Sequence, residues 1–565
     1  MLPESKLDFA PVCCEARVRI HYSPAGNPSA RKPVAEGCRR GSVASGLFLR
    51  YKVKGRQACR NGAAVHCQAG ARVRRGFRTA AEGWGVISYL DDVFLFVCAG
   101  IAIALSVGSA GHALVMKRDP RSALGWIVVC LTVPLFGPIF YWSMGVNRIF
   151  RRARKWQETG RRLAGGEHFR SAQEHESAPT PPAGAEYLSE LRHLADRVVG
   201  APLVQGNRII PLDGGEGAYP AMLEAIAHAR SSVHLSTYIF DSDSTGRRFI
   251  TTLAAAAARG VIVRVIVDGV GEKYSWPRAR TLMEGTGIRV ERFLPLRQGI
   301  YMNLRNHRKV LVVDGQLAFT GGMNIGDRHV AEKAGDAVSR DVHFSVAGPV
   351  VAGLQQVFLE DWHFVTGELL DDTRYFPPIQ PAGHALARPI GDGPDKEYHT
   401  LHWIIMGALS CATRTVQIMT PYFIPDRSLV SALVTTALRG VEVTLVLPEK
   451  NNLPFVHWAT RAYLWELIQQ GIRVFYQPPP FAHTKLFIVD GLWSMIGSAN
   501  LDPRSLRLNF ELNLEVYDRE LAGTLSRHFA VTVARSRQVS LTEMDGRPLP
   551  EKVRDATAKL FSPYL

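Results

Sequence analysis

Two stretches of this sequence repeat each other, NHRKVLVVDGQLAFTGGMNIGD at 306–327 and AHTKLFIVDGLWSMIGSANLDP at 482–503. Both follow the pattern H-x-K-x4-D-x6-G-[GS]-x-N, and every matched position is separated from its counterpart by the same distance along the chain. A histidine and a lysine two positions apart on a strand point to the same face. The apolar run after each lysine predicts a buried strand that ends at an Asp-Gly turn. The repeat therefore predicts two homologous lobes, each presenting a His-Lys pair from a rigid strand.

The residues that precede each repeat extend the duplication. SVHLSTYIFD at 232–241 is followed by a helical run and by RGVIVRVIVDG at 259–269. In the second half, TVQIMTPYFIPD at 415–426 is followed by a helical run and by RGVEVTLVLPE at 439–449. A strand, a helix and a second strand rich in Val and Ile are typical of a parallel α/β sheet. We therefore predict an α/β fold.

The residues shared by the two copies suit chemistry on an anionic group. A histidine can act as nucleophile or general acid–base, and a neighbouring lysine can neutralise negative charge. The small Gly-Gly or Gly-Ser pair lets the backbone approach an oxyanion closely, and the final asparagine adds a neutral donor. In an alternative interpretation the histidines only cap strand ends, which would not explain why both copies keep the lysine and the small pair. The predicted site residues are His307, Lys309, Asp314, Gly322 and Asn324, then His483, Lys485, Asp490, Ser498 and Asn500.

Two long uncharged segments precede the lobes. Val93–Met116 and Ser122–Asn147 contain no Asp, Glu, Lys or Arg, and each exceeds the ~20 residues that a helix needs to cross a bilayer. They predict a transmembrane hairpin at 90–147 with a tight turn at 117–121, which would place both ends on one side of the membrane. The prolines of the second segment are expected to kink or locally unwind it. Two buried core helices are the alternative.

The charges beside these segments predict their orientation. Five basic residues lie within 148–155, against three in the turn at 117–121. The positive-inside rule then places the C-terminal side in the cytoplasm. A short helix is expected around residues 187–198. The predicted domains are a basic juxtamembrane linker at 148–200, lobe 1 at 201–380 and lobe 2 at 381–565.

Most of the net charge lies outside the repeats. The chain has 565 residues and a formal net charge of +16, and residues 1–80 contain 16 of its 67 Lys and Arg but 4 of its 51 Asp and Glu. We predict that 1–85 is a disordered basic extension, or is absent from the native protein if translation begins at a valine-type start codon near Val86. The remainder is close to charge balance, which argues against a basic nucleic-acid channel.

The paired motif resembles the phospholipase D superfamily, whose two H-x-K-x4-D motifs meet at a pseudo-twofold axis in a single active site. With its apolar segments, the chain is similar to bacterial cardiolipin synthases of the phospholipase D type over residues 90–565. TPYFIPD at 420–426, NLDPRS at 500–505 and NFELN at 509–513 support that narrower match. The resemblance implies two lobes related by a pseudo-twofold axis, a mixed sheet flanked by helices, and a multi-pass location in the bacterial inner membrane.

The resemblance also implies roles for these residues. One histidine would attack phosphorus and the other would protonate the leaving glycerol; the family points to His307 as nucleophile and His483 as acid–base, although the near-symmetry leaves this open. The lysines and asparagines would bind the phosphate. Asp341 and Glu511 occupy the positions the family uses to orient the histidines, at unequal distances along the chain from the histidine of their own repeat. The motif aspartates, Asp314 and Asp490, belong to the family's catalytic triplet, yet their position at the turn suggests that they brace the site.

The implied activity is phosphatidyl transfer between two phosphatidylglycerol molecules, giving cardiolipin and glycerol. No cofactor or metal is expected, because the sequence lacks a G-x4-GK[ST] loop and a carboxylate cluster suited to magnesium. The expected partners are phosphatidylglycerol and other anionic membrane lipids, with integral membrane association and no nucleic acid. A phospholipase D hydrolase or a transphosphatidylase using another alcohol would share every catalytic residue, and a nuclease of the superfamily is a weaker alternative. Oligomeric state, acyl-chain preference and the use of phosphatidylethanolamine as donor stay open.

Overall fold

The computed structural model of the chain describes residues 70–117, 120–146, 184–294, 304–370, 373–393 and 400–562. Its α-helices are α1 Gly70–Met116, α2 Pro120–Thr132, α3 Phe136–Phe140, α4 Ser189–Val198, α5 Gly214–His228, α6 Ser244–Ala258, α7 Ala279–Met283, α8 Ala331–Ala334, α9 Val350–Thr366, α10 Thr400–Cys411, α11 Arg427–Leu438, α12 Pro454–Gln469, α13 Pro503–Arg507, α14 Arg519–Ala534, α15 Leu541–Asp545 and α16 Leu549–Leu560. Its strands are β1 Val204–Asp213, β2 Ser232–Thr237, β3 Ile262–Asp268, β4 Arg289–Phe293, β5 Arg305–Asn306, β6 Val310–Val313, β7 Leu317–Gly321, β8 Ser339–Arg340, β9 Val342–Ala347, β10 Ala385–Asp392, β11 Thr415–Met419, β12 Glu442–Pro448, β13 Arg473–Gln477, β14 Phe481–Ala482, β15 Leu486–Val489, β16 Trp493–Gly497, β17 Asn509–Tyr517 and β18 Arg537–Gln538.

One mixed sheet runs through both halves of the described chain. From one edge its strand order is β18-β13-β12-β11-β15-β16-β17-β10-β1-β9-β7-β6-β2-β3-β4. The order from β4 inward to β1 repeats the order from β13 inward to β10, so an approximate twofold axis lies at the antiparallel pair β1 and β10. This arrangement confirms the predicted mixed α/β sheet flanked by helices. The lobe boundaries at 201–380 and 381–565 stay a prediction.

The duplicated sequence explains the two matching halves. In each, a strand, a helix and a parallel strand follow in order: β2, α6 and β3 in the first half, and β11, α11 and β12 in the second. The apolar runs after the motif lysines form β6 and β15, in which all four residues are buried. The Asp-Gly turns follow at once, and Asp314 and Asp490 adopt φ values of 53° and 54° there. The motif strands are therefore rigid and central.

A shared core ties the halves together beneath two long helices. Phe358 and Trp362 of α9, and Leu525 and Phe529 of α14, belong to one buried cluster that includes strands of both halves. Two further clusters lie under the remaining helices of each half. The halves therefore share buried apolar surface, and the sites carried by their strands are held at a fixed spacing.

The first helix is longer than predicted. Its segment Asp92–Met116, 25 residues with a mean hydropathy of 2.3, is the one described helix that is long and apolar enough to cross a membrane. The helix begins at Gly70, so the predicted disorder of residues 70–85 is wrong. This stretch contains no proline and has Ala and Arg, which favour helix, directly before the apolar run. The rest of the predicted extension, 1–69, and most of the predicted linker, 147–183, lie outside the described residues.

The second apolar segment does not form one spanning helix. It is divided into α2 of 13 residues, the short α3, and a π-helical turn at Tyr141–Gly145. Leu135, between α2 and α3, has a φ of 73°. At ~1.5 Å per residue, α2 is ~20 Å long, which is short of the ~30 Å of hydrocarbon in a bilayer. The expected local unwinding at the prolines is therefore a reversal of the chain.

Contacts along the segment show this reversal. The side of α3 that carries Gly137 lies so close to α2 that a Cβ atom there would be 2.3 Å from the Val129 carbonyl oxygen. The segment ends beside its own beginning, because Lys117 Nζ donates to the Gly145 carbonyl oxygen at 2.5 Å. The predicted hairpin of two spanning helices is thus not confirmed, because the described residues form one long apolar helix followed by a short helical pair. The predicted helix near 187–198 is confirmed as α4.

Candidate active site

Strand pairing between the halves brings the two motif histidines to the middle of the molecule. β5, which leads into His307, pairs in parallel with β17 of the second half, and the His307 amide donates to the Phe510 carbonyl oxygen at 2.9 Å. β14, which leads into His483, pairs in parallel with β8 of the first half, and the His483 amide donates to the Arg340 carbonyl oxygen at 2.7 Å. Each histidine therefore enters the site along a strand of the opposite half.

The same pairing gives each histidine a carboxylate from the other half. His307 Nδ1 lies 3.0 Å from Glu511 Oε2, and His483 Nδ1 lies 2.8 Å from Asp341 Oδ2. Both carboxylates are buried. An Nδ1–H donated to a carboxylate fixes the tautomer and leaves Nε2 to react. The structure thus places both predicted orienting residues at histidines, crosswise between the repeats, which explains their unequal sequence spacing.

The two motif lysines lie beside the histidines but in different ways. Lys309 Nζ donates to the carbonyl oxygen of His307 at 2.6 Å. Lys485 Nζ donates to the carbonyl oxygen of His483 at 2.5 Å and also lies 3.0 Å from Nδ1 and 3.3 Å from Nε2 of that ring. Lys485 Nζ is 3.8 Å from Asp341 as well. Both predicted cations are therefore in the site, and one of them contacts the imidazole.

Burial and neighbouring charge set the protonation of this cluster. Burial, reinforced by the Lys485 ammonium, lowers the pKa of His483 to about 3. Burial also lowers the pKa of His307, although the Glu511 carboxylate opposes it. Burial brings the pKa of Lys309 down to about 7. Both imidazoles are consequently neutral at pH 7 in the substrate-free site.

The carboxylates are ionised despite their burial. Burial alone would raise the pKa of Glu511, but His307, Lys309 and the Ser498 hydroxyl lower it to about 2. The pKa of Asp341 is likewise lowered, because Lys485 and His483 outweigh the effect of burial. Two ionised carboxylates thus face Lys485 and a Lys309 whose pKa is about 7, and an incoming phosphodiester adds one negative charge that raises the pKa of the groups around it.

The small pair at each motif serves the carboxylates. A Cβ at Gly322 would lie 2.3 Å from Asp341 Oδ2, so glycine is needed for that carboxylate to approach. Ser498 Oγ donates to Glu511 Oε2 at 2.5 Å. The Ser498 amide is bonded to the Leu512 carbonyl oxygen at 3.0 Å. Gly322 and Ser498 therefore position the two carboxylates, and their contact with substrate phosphate stays a prediction.

The two motif asparagines are both buried but are held differently. Asn324 Oδ1 accepts a hydrogen bond from the Ile239 amide at 3.1 Å. This contact fixes the amide plane and leaves Nδ2 as the donating side. Asn500 Nδ2 donates to Ser505 Oγ at 3.2 Å. Both asparagines follow strands that flank the motif strands, Asn324 after β7 and Asn500 after β16, and their role as phosphate donors stays a prediction.

The motif aspartates lie at the far end of the motif strands from the histidines. Asp314 accepts hydrogen bonds from three successive backbone amides at 230–232, over 2.7 to 3.2 Å. Asp490 does the same with the amides of 413–415, over 2.7 to 2.9 Å. Their carboxylates thus hold the loops that lead into the neighbouring strands, β2 in the first half and β11 in the second. This geometry fits the bracing role and separates both residues from the chemistry.

Several residues of the site carried no sequence signal that we used. Arg308 points away from the His-Lys face, where Nη1 donates to Asp361 Oδ1 at 2.6 Å and Nε to the Glu511 carbonyl oxygen at 3.0 Å. The rings of Tyr238 and Tyr422 meet the two histidines edge-on, with centroids 5.4 Å from His307 and 6.3 Å from His483. The position of Arg308 inside H-R-K, on the opposite strand face, was the available signal. Within the described residues, no cluster of three or more His, Cys, Asp or Glu is arranged to hold a metal ion.

The fold and the paired His-Lys sites define the phospholipase D class of proteins. A family described as "Cardiolipin synthase, PLD-like domain" matches residues 222–362 and 405–532, and one described as "Phospholipase_D-nuclease N-terminal" matches residues 104–145. Among solved structures, phosphatidylserine synthase from Haemophilus influenzae Rd KW20 aligns with a TM-score of 0.52 at 14% identity, over 66% of this chain and 100% of its own. At that identity the likeness concerns the fold alone.

The curated relatives identify the family within this class. The chain is 31% identical to a cardiolipin synthase of Geobacillus sp. (strain WCH70) over 82% of this chain and 94% of the relative. It is 31% identical to one of Listeria welshimeri over 85% of this chain and 100% of the relative, and 29% identical to a probable cardiolipin synthase of Bacillus subtilis over 82% of this chain and 92% of the relative. The chain belongs to the cardiolipin synthase family of the phospholipase D type.

Proposed function

We propose that this protein transfers a phosphatidyl group from one phosphatidylglycerol to another through a phosphatidyl-histidine. The observation that carries the proposal is the crosswise pair: two buried histidines, each held at Nδ1 by a carboxylate of the opposite half and each accompanied by a lysine. Two such groups allow one histidine to attack while the other handles the proton. The family's curated names support a lipid substrate.

In the first step, His307 Nε2 forms a bond to phosphorus, and the bond from phosphorus to the headgroup glycerol breaks. The incoming phosphodiester raises the pKa of His483, so that this ring takes up a proton at Nε2 when the lipid binds. His483 gives that proton to the departing alkoxide, so that glycerol leaves neutral. The Lys485 ammonium, 3.3 Å from His483 Nε2, sits within hydrogen-bond reach of the atom that must supply this proton. The family resemblance supports the assignment of His483 as acid–base.

In the second step, His483 takes the proton from a headgroup hydroxyl of a second phosphatidylglycerol. The resulting oxygen attacks phosphorus, the bond to His307 breaks, and cardiolipin leaves. Lys309 and Lys485 neutralise the phosphate charge in both steps, which lowers the repulsion that an anion presents to a nucleophile. One phosphodiester bond is exchanged for another, so the reaction needs no nucleotide.

Incubation of purified protein with phosphatidylglycerol vesicles, without CTP or divalent metal, tests this function. We expect cardiolipin and glycerol in equal amounts. Phosphatidic acid as the only lipid product would identify a hydrolase instead. A product that forms only when another alcohol is added would identify a transphosphatidylase.

We also propose how the protein meets the membrane. α1 crosses the bilayer once through Asp92–Met116, and α2 with α3 enters one leaflet and returns to the same side. Leu131, Phe136 and Ile139 of this pair are each more than half exposed and suit acyl chains. Further contacts hold the pair to α1, because Trp142 Nε1 donates to Ser109 Oγ at 3.0 Å.

The charges that flank the helical pair support this placement, whereas the 16 Lys and Arg of residues 1–80 would then lie on the opposite side. If the pair re-enters one leaflet, the three basic residues of 117–121 and the five of 148–155 lie on the same side of the bilayer. A spanning hairpin would divide them between the two sides, against the positive-inside rule. We therefore propose that this shared side, together with the catalytic part, faces the cytoplasm of the bacterial cell.

Labelling of single cysteines tests this topology. In a variant without other cysteines, Pro120→Cys and, as the matched control, Leu560→Cys should both resist a membrane-impermeant maleimide in intact spheroplasts and react after lysis. Labelling of Pro120→Cys in intact spheroplasts, with Leu560→Cys protected, would instead support two spanning helices.

A further inference from the structure

Each half of the molecule has a loop after one of two equivalent strands, β3 in the first half and β12 in the second. We call these loops, residues 271–278 and 449–455, the rim loops. Each rim loop carries an exposed lysine followed by two exposed apolar side chains. In the first rim loop these residues are Lys273, Tyr274 and Trp276, and the two rings are 61% and 85% exposed. Rings of this size are seldom left so open to water.

The second rim loop repeats the pattern with different residues. Lys450 is exposed, and it is followed by Leu453 and Phe455, which are 47% and 36% exposed. A single exposed apolar side chain is common on a protein surface and needs no explanation. The same combination after equivalent strands of both repeats indicates a task that the two halves share.

The first rim loop lies beside His307. Asp268, the last residue of β3, accepts a hydrogen bond at Oδ2 from the amide of Asn306, which directly precedes His307, at 2.9 Å. Within the loop, the Tyr274 ring meets the Tyr238 ring edge-on, with centroids 6.2 Å apart. The Tyr238 ring in turn packs against His307. One tyrosine therefore separates the exposed part of this loop from the histidine.

The second rim loop has the same relation to His483. The Tyr422 hydroxyl donates to Asn452 Oδ1 at 2.9 Å, and Asn451 Nδ2 donates to the Pro421 carbonyl oxygen at 2.8 Å. The Tyr422 ring packs edge-on against His483. Again one tyrosine separates the loop from the histidine. The rim loops therefore border one active site from its two halves.

The charges of the rim loops favour an anionic partner. Glu272, the acidic residue of the first rim loop, is 2% exposed and accepts a hydrogen bond from Arg292 Nη1 at 3.2 Å. Its neighbour Lys273 points to solvent. In the second rim loop, Glu449 lies 3.8 Å from Arg537. The acidic groups are thus paired within the protein, and the lysines are presented outward together with the apolar side chains.

Resting on the proposed function, we propose that the rim loops dock the active site onto the surface of an anionic phospholipid bilayer. Aromatic and basic side chains are the combination that suits the boundary between headgroups and acyl chains. The lysines would meet lipid phosphates, while the apolar side chains enter the boundary below them. A lipid could then bring its headgroup to the histidines while its acyl chains stay in the bilayer.

Fluorescence quenching from within the bilayer tests the docking. In the full chain without other cysteines, Trp276→Cys and Leu453→Cys are each labelled with nitrobenzoxadiazole and reconstituted into phosphatidylglycerol vesicles. Leu438→Cys is the matched control, because Leu438 is also exposed and apolar but lies before β12, whereas Leu453 lies after it. The seven residues of β12 separate the two positions by about 20 Å.

We expect doxyl groups on the lipid acyl chains to quench the labels at 276 and 453 at least about threefold more strongly than the label at 438. Equal quenching at the three positions would overturn the proposal. A spectral shift that grows with the protein-to-lipid ratio, without quenching by the lipid, would make a second copy of the chain the occupant and would overturn it too.

Reaction rates on two forms of the lipid separate docking from chemistry. The double variant Trp276→Ser/Leu453→Ser should lower cardiolipin formation on vesicles about tenfold, because it removes apolar surface that the bilayer would bury. On short-chain phosphatidylglycerol, dissolved below its critical micelle concentration, its rate should stay within about twofold of wild type, because no surface is needed there. Leu438→Ser should change neither rate.

The outcomes keep the docking surface apart from the function beneath it. An equal loss on vesicles and on dissolved lipid would assign the two residues to the chemistry or to folding and would overturn the proposal. Unchanged rates on both would overturn it as well. If the wild-type protein formed phosphatidic acid as its only lipid product, the proposed function would fail, whereas selective quenching at 276 and 453 would still support the docking surface.

Discussion

The two half-sites, one at His307 and one at His483, share what holds the histidine and differ in what surrounds it. In both, a buried carboxylate from the opposite half binds Nδ1 within 3.0 Å. Around His483, however, the lysine contacts the imidazole ring, whereas around His307 it contacts only the backbone carbonyl among its described hydrogen bonds. The duplicated scaffold thus fixes two equivalent rings, and the differences between their neighbours accompany the unequal tasks that we propose for them.

A second difference concerns how each carboxylate is seated. Asp341 is close to its glycine, since a Cβ at Gly322 would collide with it. Glu511 instead receives a hydroxyl from Ser498 and an amide from Asn509 Nδ2 at 3.0 Å. The position of Asp341 therefore depends on the absence of a side chain at residue 322. The position of Glu511 depends on the hydrogen bonds from Ser498 and Asn509. Substitutions in the two halves should have different consequences even where the sequence motifs match.

The largest effect is expected from the histidines themselves. His307→Ala and His483→Ala should each lower cardiolipin formation at least ~10⁴-fold, because attack and proton transfer both require an imidazole. Rates on phosphatidylglycerol vesicles, with circular dichroism to check folding, measure this. A rate close to wild type in either variant would break the idea that both halves form one site.

The second-largest loss of rate is expected on substitution of the carboxylates that orient the histidines. Asp341→Asn and Glu511→Gln are expected to lower the rate ~10²–10⁴-fold, because an amide can fix the wrong tautomer. Each carboxylate also raises the pKa of its histidine, so its neutralisation lowers that pKa further. The limb of the rate–pH profile that belongs to that histidine should therefore move to lower pH.

The control for this prediction lies in the crosswise arrangement. Asp341→Asn should alter the His483 limb, and Glu511→Gln should alter the His307 limb. A shift of the same limb in both variants would contradict the pairing.

The small residues should separate the two half-sites. Gly322→Ala is expected to cost ~10²-fold in rate, since its Cβ displaces Asp341 and with it the His483 ring. Ser498→Ala removes one hydrogen bond to an ionised carboxylate and should cost about tenfold. Steady-state rates of the two variants, measured side by side, test the order. An equal loss, or a larger loss for Ser498→Ala, would contradict the contrast between space and hydrogen bonding.

The smallest effect on rate is expected at the turn aspartates. Asp490→Asn should leave the rate within about threefold of wild type but lower the free energy of unfolding by about 1–3 kcal/mol, because the three backbone amides of residues 413–415 lose an ionised acceptor. Burial alone would raise the pKa of Asp490, but its hydrogen bonds lower it below the ordinary 3.8. The stabilisation is therefore complete above about pH 4 and is lost as pH falls below that value.

Unfolding at neutral and acidic pH measures this stabilisation, with Asp314→Asn as the partner variant in the other half. A large loss of rate without loss of stability would return these aspartates to the catalytic group.

Much of the fold and of the candidate site could be predicted from the sequence, because the two copies of the repeat constrain the interpretation of each other. The strand–helix–strand units, the buried motif strands and the position of His307, Lys309, His483 and Lys485 follow from local pattern and from the constant spacing of the repeats. The exchange of carboxylates between halves could not be predicted from spacing, because it depends on β5 pairing with β17 and β14 with β8, contacts between residues far apart in sequence. The roles of Gly322 and Ser498 depend on the same tertiary contacts.

The apolar segments show a different limit. The length of the segments and their lack of charge predicted two spanning helices. These properties do not indicate whether the chain reverses within a segment. The reversal at Leu135 becomes visible only through the contact of Gly137 with Val129 and of Gly145 with Lys117. Pro134 signalled a disturbance of the helix without indicating its size. The basic residues on both sides of the second segment, in 117–121 and in 148–155, were the sequence feature that favoured a return of the chain to the same side of the membrane.

Trapping the covalent intermediate tests the central claim most directly. Wild-type protein, His307→Ala and His483→Ala are each incubated with phosphatidylglycerol that is labelled in an acyl chain, quenched, digested and analysed by mass spectrometry for a phosphatidyl adduct on histidine. The account predicts that the adduct accumulates on His307 in His483→Ala and is absent from His307→Ala. An adduct on His483 in His307→Ala would reverse the two roles, and the absence of any adduct while wild-type protein makes cardiolipin would contradict a phosphatidyl-histidine mechanism.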